Sequence, residues 1–376
     1  MDVLTTAAVK ARAGELGFDL CGVASADDHL ELASLRQWLD RGFGATMTWL
    51  HRTAGRRADV RRVLPSARSV IVTATLYNVR GKGAGVDPPT DTALISRYAW
   101  GQDYHQVVGR RLDELLAWMR GAAGMPFDAR VYVDTGPVQE RVYAFHAGLG
   151  WIGKNTCLIN ARLGSWLFLG VILCSLPLDA DRRAEERCGT CTRCLDACPT
   201  GALVAPRVLD ARCCLSYLTI ERRGAIPAAE RSLLGRHVFG CDICQQVCPW
   251  NDGAPVSVAP QWQPRPGLDR PRLVDLWRQA DDGLAALIEG APLTRAGVAG
   301  LRRNLAIAIG NSASADGVAA LERWTGREAR AAAPTVADPV VREHVEWALE
   351  RLRLDRVHSN PVHGPAGRGP ANRHHP

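Results

Sequence analysis

Seven cysteines in one stretch of this sequence have the spacing of iron-sulfur ligands. Four stand in a C-x2-C-x2-C-x3-C run that ends on a proline, and a later group repeats the C-x2-C-x3-C half and also ends on a proline. They are Cys188, Cys191, Cys194, Cys198, Cys241, Cys244 and Cys248. In two-cluster ferredoxins the first three thiolates of such a run hold one 4Fe-4S cube, and the fourth crosses to the other cube.

The crossover rule divides the ligands of two 4Fe-4S clusters into two sets. The first cysteine set comprises Cys188, Cys191, Cys194 and Cys248. The second cysteine set comprises Cys198, Cys241, Cys244 and one member of the adjacent pair Cys213 and Cys214. Spacing alone does not choose within that pair. Zinc is the structural alternative, but a zinc site requires neither the three-fold C-x2 run nor the two Cys-Pro ends. Two cubes with a crossed ligand set lie close together, so we expect them to pass electrons.

Composition limits the class of protein. The chain has 376 residues, 12 cysteines and a formal net charge of +7. Clustered thiols without a secretory signal favour a reducing compartment, which predicts a cytoplasmic protein. No stretch is long and apolar enough to predict a membrane span. The positive charge suits a polyanionic partner such as RNA, and a solvated basic surface is the alternative.

Three regions must position these cysteines. Residues 1–180 alternate strand and helix patterns, with strands predicted at 69–76, 130–134 and 166–174 and a helix at 104–120, which indicates an α+β or α/β domain. Residues 181–255 are organised by cysteine spacing. Residues 270–352 have helical periodicity, and residues 353–376 have the composition of an unstructured tail.

The helical region contains a weak internal repeat. The segment LRRNLAIAIGNS at 301–312 recurs as VREHVEWALERL at 341–352, with Arg302 and Arg342 forty residues apart. This period is typical of HEAT repeats, which stack helix pairs into an extended surface. An ordinary helical hairpin is the alternative.

Several motifs resemble those of the epoxyqueuosine reductase family and occur in the family's order. Besides both cysteine runs, the matching segments are SRYAWGQDYH at 96–105, VYVDTGPVQER at 131–141, GLGWIGKNTCLIN at 148–160, GSWLFLG at 164–170 and CLSYLTIERRGAIP at 214–227. Within the last segment the family's cysteine corresponds to Cys214, which the resemblance selects as the eighth ligand. We interpret the four other cysteines as small buried apolar residues, namely Cys21, Cys157, Cys174 and Cys213.

The resemblance implies a fold, an activity and partners. It implies an α+β protein with a nitroreductase-like cobalamin-binding domain at 1–180, a ferredoxin-like domain with two 4Fe-4S clusters at 181–255 and HEAT-like tRNA-binding helices at 270–352. The implied reaction reduces epoxyqueuosine to queuosine at the wobble position of a GUN anticodon in tRNA, with electrons passing through the clusters to cobalamin. An external donor such as a flavodoxin or ferredoxin would supply the electrons, and we expect a monomer.

Asp134 is the candidate catalytic acid, because the resemblance aligns it with the family's proton donor. It closes the predicted strand at 130–134 and precedes a Gly-Pro turn, where a strand end would present its carboxyl group to a site. Donation near neutral pH would need a raised pKa, which burial could provide. The alternative role is an N-cap for a helix that starts near Pro137.

Two weaker sets of contacts follow from polar positions inside or beside the motifs. The candidate cobalamin contacts are Arg57, Arg97, Asp134, Asn155, Thr156, Ser165, Ser216 and Asp242. The candidate tRNA contacts are Arg222, Arg223, Arg302 and Arg303. Scaffold hydrogen bonds and solvated arginines are the respective alternatives. Lys154, in the GWIGKN motif, resembles a phosphate or propionamide anchor.

Two other functions use the same cysteines. A plain ferredoxin-type electron carrier would leave about 310 residues without a role. A corrinoid reductive dehalogenase shares the plan of cobalamin and two clusters, but such enzymes usually carry a twin-arginine export signal, and the sequence shows none.

Overall fold

The computed structural model of this chain describes residues 4–81, 87–312, 316–323 and 331–359. The predicted tail begins too early, because a helix continues to Ser359. The rest of that tail, residues 360–376, lies outside the described residues. Among the described residues no helix is long and apolar enough to cross a membrane.

The elements alternate along the chain. The strands are β1 Leu20–Ser25, β2 Ser69–Leu76, β3 Leu94–Ile95, β4 Ala129–Tyr132, β5 Trp151–Ile152, β6 Leu158–Ile159, β7 Leu167–Cys174, β8 Leu203–Ala205, β9 Val208–Leu209 and β10 His237–Phe239. The helices up to the second cysteine group are α1 Thr6–Glu15, α2 Ser34–Asp40, α3 Thr48–Ala58, α4 Tyr104–Ala122, α5 Glu140–His146, α6 Arg193–Asp196, α7 Ala228–Arg231 and α8 Ile243–Gln246. The C-terminal helices are α9 Leu273–Trp277, α10 Asp281–Ile288, α11 Gly297–Asn311, α12 Gly317–Arg323 and α13 Pro339–Ser359.

A four-stranded antiparallel sheet supports the N-terminal region, in the order β1-β2-β7-β4. All eight residues of β2 are buried, because helices cover both faces of the sheet. Alternate side chains point to opposite faces, so Ile71 packs in the apolar cluster shared with α1 and α4, while Val70 and Val72 pack in the cluster shared with α5. The predicted α+β class is therefore confirmed at the level of a mixed helix and sheet fold.

The cysteine-rich stretch contains short elements joined to the rest of the molecule. Strand β10 pairs in parallel with β3, which links this stretch to the N-terminal region. A π-helical turn at Tyr217–Glu221 begins three residues after Cys214. Such turns are uncommon and often occur at functional sites.

The C-terminal helices do not form a separate core. One apolar cluster runs from the face of the sheet covered by α4 to the side chains of α9, α11 and α13. The two segments of the predicted repeat lie in α11 and α13, and these helices approach closely at Gly310, where an added Cβ would lie 2.9 Å from the Cα of Ala348. A side chain at Gly310 would force the helices apart.

Candidate active site and cysteine sets

Asp134 lies two residues beyond the end of β4, at the start of a tight turn. Its φ of +57° is in the left-handed region, which non-glycine residues rarely adopt. The predicted strand is therefore too long, since β4 ends at Tyr132. The alternative role as an N-cap is wrong, because α5 begins at Glu140 and has Gln139 in the N-cap position.

Two side chains at the start of α4 contact the Asp134 carboxylate. The Tyr104 hydroxyl donates a hydrogen bond to Asp134 Oδ2 over 3.1 Å, and His105 Nε2 lies 3.4 Å from the same oxygen as an ion pair. The Tyr104 ring stacks on Phe168 with centroids 4.5 Å apart, which fixes its direction. No local sequence pattern indicates these contacts, because Asp134 lies 30 positions beyond Tyr104 in the chain.

His105 is poised to hold a proton. Its Nδ1 lies 2.7 Å from Asp103 Oδ1, while Nε2 faces Asp134. Burial lowers the pKa of His105, but the carboxylates of Asp103 and Asp134 outweigh burial and raise the pKa to about 9. His105 is therefore mostly protonated at neutral pH.

The pKa of Asp134 is lowered, whereas the sequence predicts that burial raises it. Its side chain is 63% exposed. Enclosure by neighbouring groups raises the pKa of Asp134, but His105, Tyr104 and Arg141 stabilise the carboxylate and hold the pKa below its usual value. The expected elevation occurs instead at Glu140, where burial and the Asp134 charge raise the pKa to about 8. At neutral pH the protons of this site are therefore held by His105 and Glu140, not by Asp134.

Helix α3 holds the Asp134 turn from the other side. Arg57 is buried and donates from Nη1 to the carbonyl of Val138 over 3.0 Å. Gln139 returns two hydrogen bonds, to the carbonyls of Arg57 and Leu32. Arg57, a predicted cobalamin contact, therefore supports the turn that carries Asp134.

The first cysteine set lines one cavity. Its lining residues are Lys154, Asn155, Ile159, Cys188, Cys191, Arg193, Cys194, Cys248, Pro249 and Trp250. Lys154 donates to the carbonyls of Gly189 and Cys191 over 2.7 and 2.8 Å, so it fixes the cysteine loop instead of extending as an anchor for an anion. Within the described ranges, no three His, Cys, Asp or Glu side chains converge on a point that would hold a single metal ion. The four thiols instead surround a common space.

The second cysteine set also converges. Cys214 interacts electrostatically with Cys198. Cys241 interacts with Cys198 and Cys214, and Cys244 interacts with Cys214 and Cys241. Cys213 interacts electrostatically with Asp210 and Glu230 and, of the second set, with Cys198. The geometry thus favours Cys214 over Cys213 as the eighth ligand.

Backbone amides surround the thiols of these sets. Hydrogen bonds reach Cys198 from Thr200, Ala202 and Leu203, reach Cys214 from Ser216 and Tyr217, reach Cys241 from Ile243 and reach Cys248 from Trp250. Amide donors stabilise negative charge on sulfur and tune the potential of a cluster. The loops are therefore shaped for thiolates.

Cys157 is a neighbour of both sets that sequence reasoning missed. Its side chain forms a hydrogen bond with Cys244, and it interacts electrostatically with Cys248. The interpretation as an ordinary buried apolar residue is incomplete. No spacing signal could have found this contact, because Cys157 lies 87 positions before Cys244.

Four predicted cobalamin contacts meet the loop that bears Cys241 and Cys244. Asp242 accepts from the backbone amide of Arg97 over 2.7 Å, and Asn155 donates to the carbonyl of Cys244 over 3.1 Å. Ser165 Oγ accepts from Gln245 and Asn251 over 3.0 and 2.9 Å. These residues join the sheet region to the second cysteine set.

Two other predicted cobalamin contacts, Ser216 and Thr156, have different partners. Ser216 contacts Cys214, and Thr156 accepts from Arg141 over 2.6 Å through its carbonyl group. Thr156 has a φ of +68°, so its backbone is held in a conformation that is rare for a β-branched residue. Neither residue contacts Asp134.

Some of the buried polar atoms without partners belong to residues that lie against Trp166 or Phe168. Within the described residues, Thr75 Oγ1, Arg97 Nε and Trp262 Nε1 have no hydrogen-bond partner. Trp262 packs on Phe168 at 4.8 Å, and the Arg97 guanidinium lies 4.1 Å from the centre of the Trp166 ring. Unpaired buried donors and acceptors are rare and call for an explanation. A large group with amide side chains and flat faces suits these residues.

Two of the arginines predicted to contact tRNA are buried. Arg302 is fully buried and bonds Asp281 and the carbonyl of Trp277, while Arg303 is 3% exposed and donates to backbone carbonyls in and after the π-helical turn. Both predictions are wrong, because a guanidinium enclosed by protein acceptors cannot reach a phosphate. Arg222 donates to the carbonyl of Ala225, and the exposed Arg223 donates to carbonyls at the start of α11.

Two family models match the chain. The model described as a 4Fe-4S double cluster binding domain matches residues 187–251. The model described as epoxyqueuosine reductase QueG, DUF1730, matches residues 57–135. The first match spans both cysteine runs, and the second ends one residue after Asp134.

Curated relatives and solved structures extend over most of the chain. The epoxyqueuosine reductase of Xanthomonas campestris is 41% identical over 346 residues, which are 91% of this chain and 95% of that protein. A crystal structure of an epoxyqueuosine reductase with an epoxyqueuosine-modified tRNA-Tyr stem loop has a TM-score of 0.82 and 29% identity, and covers 92% of this chain and 89% of that one. The Bacillus subtilis enzyme, solved with its catalytic aspartate loop swung out of the active site, has a TM-score of 0.81 and 27% identity, and the match covers 94% of each chain. The chain therefore belongs to the epoxyqueuosine reductase family.

Proposed function

We propose that this chain reduces epoxyqueuosine in tRNA to queuosine. The relatives carry that activity in their name, and one solved relative holds an epoxyqueuosine-modified stem loop. The observation that carries the proposal in this chain is the contact of Asp134 with Tyr104 and His105. The reaction breaks both carbon-oxygen bonds of the epoxide, leaves a carbon-carbon double bond and releases water, and it consumes two electrons and two protons.

The proposed cofactors are two 4Fe-4S clusters and cobalamin. The first and second cysteine sets would hold the clusters, with Cys214 as the eighth ligand. Arg97, Asn155, Ser165 and Asp242 would hold cobalamin, and the unpaired Thr75 Oγ1 and Arg97 Nε support this choice. When bound, the clusters carry electrons singly and the corrinoid delivers the two electrons that the epoxide requires.

The protein's own residues supply the protons. We infer that the Asp134 carboxyl group hands a proton to the departing epoxide oxygen, because the side chain is exposed and its Oδ2 already meets two proton-bearing groups. Its low pKa means that it must first receive the proton, and His105 Nε2 at 3.4 Å is the nearest charged source. The exposed Asp134 carboxylate would thus deliver the proton, and the half-buried His105 imidazolium would store it.

Several finer points belong to the proposal. They are a nitroreductase-like topology for residues 1–180, HEAT-like character for α11 and α13, a cytoplasmic location, a monomeric state and a flavodoxin or ferredoxin as electron donor. The packing of α11 on α13 at Gly310 suits a helical repeat. Of the four arginines predicted to contact tRNA, Arg222 and Arg223 remain candidates, and Arg223 is the more exposed of the two.

The test is direct conversion of the substrate. Anaerobically purified protein, loaded with cobalamin and chemically reduced, is mixed with tRNA that contains epoxyqueuosine, and the nucleosides are analysed by mass spectrometry. We expect queuosine, and eight irons and one cobalt for each chain. Unchanged epoxyqueuosine with a full complement of cofactors would overturn the proposed function.

A further inference from the structure

The exposed surface of α3 carries positive charge that no ion pair within the described residues neutralises, although Asp59, which is paired with Arg61, interacts with Arg62 at longer range. Four basic side chains form what we call the α3 basic face, namely His51, Arg52, Arg56 and Arg62. All four are exposed, and α3 contains no acidic residue. Arg62 follows the helix, and its Nη1 reaches back over Gly55, where an added Cβ would lie 3.4 Å away. Three guanidinium groups therefore share one side of the helix.

The carboxylates nearest to this face are already occupied. Arg61 points away from the face and pairs with Asp28 over 2.6 Å and with Asp59 over 2.9 Å. Among the described residues, neither Arg52, Arg56 nor Arg62 lies within ion-pair distance of a carboxylate. Within the part of the chain that the structure describes, Arg52 donates only to the hydroxyl of Thr48, and Arg56 has no side-chain hydrogen bond.

The spacing of these charges costs helix stability. Arg52 and Arg56 are four positions apart, so they are neighbours on one face, and like charges in this arrangement repel. An oppositely charged residue at either position would remove the repulsion. A repulsive pair that folding does not need suggests that a negatively charged partner binds there.

Helix α3 is fixed to the turn that carries Asp134. The buried Arg57, next to Arg56 in the chain, donates to the carbonyl of Val138, and Gln139 donates to the carbonyl of Arg57. These reciprocal hydrogen bonds hold the helix and the turn as one unit. The helix that carries the α3 basic face therefore keeps a fixed position relative to the turn that carries Asp134.

We propose that the α3 basic face binds the phosphate backbone of the tRNA anticodon stem loop and so positions the wobble base at Asp134. This inference rests on the proposed function. RNA suits the face better than an acidic protein donor does, because α3 is hydrogen-bonded to the Asp134 turn, where the nucleoside reacts, and a donor needs access to the clusters. Binding there depends on charge and is independent of the stem sequence.

The experiment measures the affinity of the cofactor-loaded protein for an anticodon stem-loop RNA with guanosine at the wobble position, at several salt concentrations. R52Q and R56Q remove one charge each from the exposed surface without creating a cavity. Each contact to phosphate contributes about one unit to the slope of log affinity against log salt. We expect each variant to lose about one unit of slope, and R52Q/R56Q to lose about two.

R120Q is the matched control. Arg120 is exposed near the end of α4, sixteen residues beyond Tyr104, which corresponds to about 24 Å along the helix. R120Q should keep the native slope, and a second RNA with the base pairs of the stem exchanged should give the same losses for R52Q and R56Q.

The outcomes separate this inference from the proposed function. If the native chain converts epoxyqueuosine but R52Q/R56Q keeps the native slope, the α3 basic face is not the RNA site. If R52Q/R56Q binds RNA normally but accepts electrons more slowly from an acidic flavodoxin, the face is instead a docking site for the donor. If the native chain binds RNA with the expected slope losses but converts nothing, the surface stands and the proposed function fails.

Discussion

The Glu140 carboxylate accepts a hydrogen bond of 2.7 Å from the backbone amide of Asp134. Asp134 has a φ of +57°, a conformation that costs energy for any residue with a side chain. The hydrogen bond offsets part of this cost and joins the first residue of α5 to the turn that precedes it. Glu140 is therefore a positioning residue for the proposed proton donor.

Replacement of Glu140 by Gln should change the pH dependence of stability. Burial and the Asp134 charge raise the pKa of Glu140 from its ordinary value of 4.5 to about 8. A raised carboxyl pKa gives stability that is complete below about pH 4.5 and is lost as the pH rises through 8. Gln keeps an acceptor oxygen and never ionises, so E140Q should melt at a higher temperature than the native chain above pH 8 and at a similar temperature near pH 5.

The measurement is thermal unfolding of both proteins across this range. E114Q, which removes an exposed carboxylate from α4, is the control and should show no such divergence. A difference between E140Q and the native chain that is the same at both ends of the range would show that Glu140 does not ionise there.

Replacement of Asp134 by Asn should lower the pKa of His105. The Asp134 and Asp103 carboxylates together raise the pKa of His105 to about 9, against the effect of burial. Asn removes one of the two charges and keeps the size of the side chain. NMR titration of the His105 ring should therefore give a pKa between about 6.5 and 9 in D134N, and an unchanged value would show that the two groups do not interact.

The same variant should lose most of its turnover. Asn cannot pass a proton to the departing oxygen, and general acid catalysis typically contributes about a hundredfold or more. Single-turnover conversion of epoxyqueuosine in tRNA, with the protein loaded and reduced beforehand, measures the loss. Iron and cobalt content should match the native chain. Conversion at the native rate would exclude Asp134 as the donor, and loss of cobalt would give it a role in binding.

The sequence predicts the cysteine sets better than it predicts the proton donors. Ligand spacing follows from the geometry of the cluster itself, so a short motif carries it. The contact of His105 with Asp134 depends instead on how α4 and the end of β4 meet across β7, which no local pattern records. The prediction that Arg302 and Arg303 contact tRNA is wrong for the same reason. Their charge suggests a surface position, but the packing of the helices buries both side chains.

The two adjacent cysteines should differ in their effect on iron content. Cys214 interacts with three members of the second cysteine set, while Cys213 interacts with Cys198 and lies nearer to solvent. We expect C213S to retain eight irons for each chain and C214S to lose about half of them, if one cube fails to assemble. Iron and sulfide analysis of anaerobically purified protein checks this. An equal loss in both variants, or four irons in the native chain, would refute the assignment.

Asn304 connects the C-terminal helices to the second cysteine set. It is fully buried in α11, and its amide donates to the carbonyls of Thr219 and Val238 over 2.8 Å each. Thr219 Oγ1 in turn accepts from the amide of Gly240, directly before Cys241. One side chain thus holds the π-helical turn after Cys214 against the strand that leads to Cys241.

Replacement of Asn304 by Ala should therefore disturb the second cluster. We expect N304A to show an altered EPR signal or a shifted reduction potential for one of the two clusters, since the two ligand segments lose their common support. N311A is the matched control, because Asn311 lies in the same helix and also donates to two carbonyls, those of Arg231 and Gly235, away from both sets. N311A should destabilise the fold without changing either signal. Equal spectroscopic changes in the two variants would mean that Asn304 supports the fold in general, and native spectra in N304A would mean that the cysteine loops hold the cluster without help from α11.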